Sequence, residues 1–148
     1  IKENLNIKEI ISSDILRARE SALIIASILN IDVTYLEPLR EQNKGIYNGL
    51  ERKKLKQVDK TFIKNVQVDT IFPEGESLKD LYRRISKLIC ELNVLEDDTL
   101  IVTHHGVINM IYYNSLDIPL DMDKERFLVT HGSVHEYDKS KKMIRRIY

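Results

Sequence analysis

The sequence predicts an α/β domain built on a mostly parallel sheet covered by helices on both faces. Three observations carry this. Strand-like apolar runs alternate with helix-length amphipathic segments along the chain. One of those runs, Leu100-Ile101-Val102-Thr103, reads as a short buried strand, and His104-His105-Gly106 and a new apolar run follow it at once. Strand, tight polar turn and helix start is the layout that sets a reactive side chain at the carboxyl edge of a parallel sheet. The 148 residues, finally, suit a single domain over 1–148 with a real hydrophobic core.

Bulk properties exclude several function classes. Lys plus Arg (23) equals Asp plus Glu (23), so no excess charge points to nucleic acid or to a membrane surface, and any anion site must be a local cluster. No apolar stretch is long enough to span a bilayer. The first residues lack the apolar run of a signal peptide, and the chain does not begin with Met. Cys90 is the only cysteine, which rules out an internal disulfide and fits a reducing, cytoplasmic location.

In chain order, residues 1–9 suit the tail of a helix, and Glu9 to Ser12 a short strand. Ser13 or Asp14 supplies an N-cap for a helix over Ile15 to Leu29, whose Leu16, Leu23, Ile24, Ile28 and alanines form a broad apolar face. Arg17 falls in the first turn, where a cation opposes the helix dipole. Either a bound anion or simple exposure to solvent accounts for it. Asn30 ends that helix, and Asp32 to Leu36 is a second strand. Pro38 to Gly49 is a polar loop with two glycines, the kind of segment that carries function on a rigid scaffold. Leu50 to Asp59 reads as a basic helix with a solvated face, and residues 60–72 show no clear period.

Pro73-Glu74-Gly75-Glu76-Ser77 opens the clearest helix. Leu78, Leu81, Tyr82, Ile85, Leu88, Ile89 and Leu92 recur at three- and four-residue steps, and Ser77 with Asp80 matches a capping box. Cys90 lies beside this stripe and is expected to pack. Glu96 to Asp98 turns the chain into the central strand, and a helix runs from about Gly106 to Asn114. Its unpaired N–H groups would aim back toward His104 and suit an anion, phosphate above all; the plain alternative is a histidine that only packs. Pro119 and Asp121 to Asp123 form a loop. Ser133 to Tyr137 is a further strand, and Met143 to Tyr148 pairs back with it as an edge strand.

Four pieces occur in one order: Ser12 to Ala22 (SSDILRARESA), Leu39-Arg40-Glu41 with Gly45 and Gly49, Phe72 to Ser77 (FPEGES), and Val102 to Ile108 (VTHHGVI). Together they resemble the histidine phosphatase superfamily, also called the phosphoglycerate mutase-like family, over nearly the whole chain. The resemblance implies a three-layer α/β/α fold, phosphoglycerate mutase-like, binding a small phosphorylated substrate or inorganic phosphate at the carboxyl ends of the parallel strands. It implies that Arg17 is a phosphate-binding arginine, Glu41 the acidic proton donor, and His104 the second active-site histidine. His105 stands where many relatives have glycine, so it is expected beside the phosphate pocket rather than as a catalyst. Ser13 and Asp14 are expected to shape the turn that presents Arg17.

One departure is large. The family's defining Arg-His-Gly, whose histidine is the nucleophile, is not among these residues; His131-Gly132 follows Thr130 and comes too late. We therefore expect a segment carrying it to precede Ile1, and residues 1–148 alone to be inactive. Because the absent strand is central in this family, its loss would leave two inner strands unpartnered and a slot in the core. The expected activity is hydrolysis of small phosphomonoesters through a phosphohistidine, without cofactor. A mutase-type transfer is the less favoured reading, since the short loop over 43–72 leaves the mouth open to water. A module that binds phosphate without turning it over is the alternative from another class. Zinc is not expected: His104 and His105 are adjacent and point to opposite faces, and no HExxH or cysteine pair accompanies His131 and His135. The sequence leaves room for a homodimer.

Overall fold

The computed structural model describes residues 6–50, 54, 57, 59–92, 98–123 and 126–148. Its centre is a three-stranded parallel sheet in the order β2-β1-β3, from β1 (Glu9–Ser12), β2 (Val33–Tyr35) and β3 (Thr99–Val102). Ile10 pairs with Val33 on one side and Leu100 on the other; Ser12 pairs with Tyr35 and Val102. Side chains alternate across β1. Ile11 therefore enters the main core, while fully buried Ile10 faces the opposite side, beneath α1 (Leu16–Leu29).

The main core lies under α3 (Leu78–Leu92) and α4 (His105–Leu116). Leu81, Ile85, Leu88 and Ile89 of the first helix meet Val107, Met110 and Tyr113 of the second, with Leu39 and Ile11 between them. The expected capping box is present: Ser77 N–H and Oγ–H both donate to Asp80 Oδ2, at 3.1 and 2.6 Å, and Asp80 N–H donates to Ser77 Oγ at 3.1 Å. Between β2 and α3 the chain makes an excursion through two 3-10 turns (Glu37–Leu39, Gly45–Tyr47) and the short α2 (Lys60–Asn65). A satellite cluster of Tyr47, Phe62 and Phe72, with ring centroids 5.5–6.1 Å apart, anchors it. The expected helix over 50–59 lies largely outside the described residues, as do most of residues 1–9 and of the turn before β3. Asp59, within that span, caps α2 by accepting from Phe62 N–H at 2.9 Å.

Two expectations are corrected. First, α1 begins one residue after Ile15, which is its N-cap and offers no side-chain bond; the Ser13 hydroxyl is drawn to His104, and Asp14 is held by Arg40. The buried face of α1 is Ala18 and Ala22, whose small side chains let the helix approach the sheet, so Leu16, Leu23, Ile24 and Ile28 face outward. Second, Cys90 is exposed on the outer side of α3. The expected hairpin is present: β4 (His135–Asp138) and β5 (Met143–Arg146) pair antiparallel as a two-stranded sheet of their own. The hairpin rests on α4 through its side chains, Tyr112 Oη lying 2.9 Å from His135 Nδ1.

Candidate active site

The parallel strands β1 and β3 end side by side, and their next residues build the site. Ser13 N–H donates to Val102 C=O at 2.9 Å, which carries the pairing one step beyond β1 and sets Ser13 beside the end of β3. His104, extended at φ −120°, is the N-cap of α4 and is almost fully buried. Its Nε2 lies 2.8 Å from the Oγ of buried Ser13, which also accepts from Ile15 N–H at 3.3 Å. Burial first, and then the nearby Arg17 guanidinium, hold the imidazole below its ordinary pKa; Glu41 and Asp14 pull the other way. The Arg17 guanidinium is thus near enough to act on the His104 ring electrostatically, although the two lie 87 positions apart in the chain. Arg17 itself is exposed, and no ion pair holds its side chain among the described residues. The serine on its own helix, Ser21, bonds only to its backbone carbonyl.

Glu41 reaches the same place from the excursion. Its carboxylate accepts from Gly106 N–H at 3.0 Å and from Gln42 N–H at 2.9 Å. A carboxylate therefore occupies the α4 N-terminus, where the sequence suggested an anion. Glu41 does not brace Arg40, whose guanidinium grips Asp14 at 2.6 and 2.7 Å and also reaches Glu37. Asp14 so ties the turn before Arg17 to the Glu41 segment. Thr103, between β3 and His104, adds a further tie by donating to Leu39 C=O at 2.9 Å.

His105 has a different partner from His104. Its exposed ring lies 3.2 Å from the amide of Asn109 and lines a cleft of about 110 Å³ with Glu41, Lys44, Gly106 and Tyr113. Of the five residues singled out from the sequence, Ser13 and His104 are in direct contact, Glu41 sits on the N–H two residues after His104, Arg17 acts on the His104 ring electrostatically, and His105 lines the cleft beside Glu41. Among the described residues no group of three or more His, Cys, Asp or Glu side chains is placed to hold a metal ion. No helix of the described residues is long and apolar enough to cross a membrane.

The sequence did not single out Thr103 or Arg84. Arg84 donates to two carbonyls of the Glu41 segment, those of Pro38 and Arg40, from more than forty residues away, and no local pattern announces such a contact.

The family model of the histidine phosphatase superfamily (branch 1) matches residues 2–148. The chain belongs to the histidine phosphatase superfamily. Within it, the chain is 30% identical over 122 residues to the "Probable phosphoglycerate mutase GpmB" of Escherichia coli O1:K1 / APEC, covering 79% of this chain and 57% of that protein. It therefore spans little more than half the length of the curated relatives it matches. Among solved histidine-phosphatase folds, the alpha-ribazole phosphatase from Shigella flexneri superposes with a TM-score of 0.78 at 20% identity, covering 97% of this chain and 73% of that one. A mycobacterial glucosyl-3-phosphoglycerate phosphatase, solved with inorganic phosphate, gives a TM-score of 0.64 at 24% identity over 77% of this chain and 61% of that one. Both likenesses establish the fold: a parallel α/β sheet with helices on its faces, as the sequence led us to expect.

Proposed function

We propose that this chain is the phosphate-binding and acid–base part of a phosphomonoester hydrolase working through a phosphohistidine, with the nucleophilic histidine supplied outside the 148 residues. The observation that supports the reading is a buried imidazole and a carboxylate at one helix N-terminus, with the Arg17 guanidinium, which makes no ion pair among the described residues, near enough to act on the imidazole. The phosphate-bound relative agrees with it. Arg17 holds the phosphate oxygens by charge-assisted bonds. His104, oriented by Ser13, donates to an equatorial oxygen and stabilises the charge that gathers there. The histidine nitrogen attacks phosphorus as the ester P–O bond breaks, and Glu41 gives its proton to the departing oxygen. Glu41 then takes a proton from water, whose oxygen displaces the histidine nitrogen and releases phosphate.

A second reading has its own support in the likeness to a phosphoglycerate mutase. There the phosphoryl group passes from the histidine to a second alcohol. A third keeps the binding and drops the chemistry. A chain extended upstream of Ile1, shown to be folded, separates them when offered a panel of small phosphate esters with and without an alcohol acceptor. Release of inorganic phosphate supports the hydrolase, and transfer to the acceptor alone supports the mutase. Phosphate binding without turnover leaves the non-catalytic module. We infer further that the enzyme is cytoplasmic and works as a monomer or a homodimer.

A further inference from the structure

The Glu41 segment has no regular structure of its own between its two 3-10 turns, so its backbone groups must find partners elsewhere. They find them at the start of α3. Arg84 Nη1 donates to Pro38 C=O and, at 3.0 Å, to Arg40 C=O. Its Nη2 donates to Glu76 Oε1 at 2.7 Å, and the same oxygen accepts from Asn43 N–H at 2.9 Å. Glu76 N–H returns to Asn43 C=O at 2.8 Å. The peptide groups before and after Glu41 are therefore clamped by one half-buried ion pair, Arg84 with Glu76. Space is tight as well: a Cβ on Gly75 would lie 2.4 Å from Asn43 C=O. The pair is rooted in the core, since Arg84 immediately precedes Ile85, which is 1% exposed.

We infer that Arg84, braced by Glu76, is a positioning residue that fixes the Glu41 carboxylate over the first N–H of α4. The planar fork is what the task needs. It has donors in fixed directions for two carbonyls and a carboxylate at once, whereas a lysine ammonium reaches them from a single point. This inference rests on the reading of Glu41 as proton donor, and the two are separable by experiment.

The Gly106 amide, bonded to Glu41, reports the carboxylate directly in a pH titration followed by nitrogen–proton correlation spectra. Glu41→Gln identifies the step by abolishing it. In Arg84→Met and in Arg84→Lys the Gly106 step is expected to vanish or shrink by more than about half, while Arg83→Gln, next door and exposed, keeps it. A merely structural role would lower the melting temperature and leave the Gly106 step intact. If Arg84→Met does not fold, Arg84→Lys decides. A full-sized Gly106 step in the folded Arg84 variants overturns the inference. In the upstream-extended chain, kcat should fall about 10²-fold in the same variants with KM little changed. An inert wild-type enzyme overturns the proposed function instead, and the Gly106 step still decides what Arg84 does.

Discussion

Glu41 occupies the space that a side chain on Gly106 would need. A Cβ built on Gly106 would lie 2.1 Å from Glu41 Oε1 and 3.0 Å from its carboxyl carbon. The glycine after the two histidines is thus required by the approach of a carboxylate to the helix backbone. Gly106→Ala should expel Glu41 from the helix start. We expect a loss of about 1–3 kcal/mol in urea unfolding, typical of an overpacked site. In an upstream-extended enzyme, turnover should fall about 10²-fold or more, as for loss of a general acid.

Arg17 should behave in the opposite way. It is exposed and makes no ion pair among the described residues, so Arg17→Ala should change stability by less than about 0.5 kcal/mol. Its loss should weaken inorganic phosphate binding by about 1.5–3 kcal/mol, roughly tenfold to hundredfold. Titration of the 148-residue chain with phosphate, followed by the His104 ring signals, measures both the affinity and its decline with salt. Unchanged affinity in Arg17→Ala would remove Arg17 from the site.

The parts legible in the sequence are those with a local signal. The stripe of Leu81, Ile85, Leu88 and Ile89 shows its period directly, and Ser77 with Asp80 announces the start of that helix. His104 follows from a strand, polar turn and helix in succession. The parts that were not legible depend on the third dimension. Ser13 has the composition of an N-cap, yet its hydroxyl meets an imidazole 91 positions later. Arg84 lies on the polar side of an amphipathic helix like any solvated cation, and only the fold brings Pro38 and Arg40 within its reach. α2 escaped notice because six residues show no period, although Asp59 before Lys60 is an N-cap signal. α1 is apolar on two sides, and nothing local says that the alanines rather than Leu23 and Ile24 meet the sheet.

Two histidines set the acid side of the stability profile. Burial and then Arg17 lower His104 from its ordinary 6.5, and burial and then Arg146 lower His135. The unfolded chain therefore binds more protons just below pH 6.5, so stability falls as pH drops from there toward the folded values. Hydrogen bonds from Arg40, Ser77 and Tyr113 lower Asp14, Asp80 and Asp121 respectively. What these carboxylates contribute is intact at neutral pH and is lost as pH falls below 3.8 through their folded values. Urea midpoints against pH should accordingly decline in two stages, and His135→Asn should shrink the first. Bound phosphate should raise the His104 pKa, because its charge offsets that of Arg17; a ring titration unmoved by phosphate would separate the histidine from the anion.

The two faces of α1 make the sharpest contrast with α3. Ile85 is 1% exposed and touches the core shared by both helices on its side of the sheet, so Ile85→Ala should cost about 2–5 kcal/mol. Ile28 has the same side chain at an equally periodic position, but it is 76% exposed. Its methylene and methyl groups have few neighbours to lose, and Ile28→Ala should lie within about 0.5 kcal/mol of the parent. Helical period alone ranks the two positions together; the short side chains of Ala18 and Ala22, which draw the other side of α1 onto the sheet, part them. Urea midpoints of the two variants test this directly. A loss at Ile28 comparable to that at Ile85 would mean that the outer face of α1 is covered in solution, and concentration dependence of the Ile28→Ala midpoint would then show whether a second copy covers it.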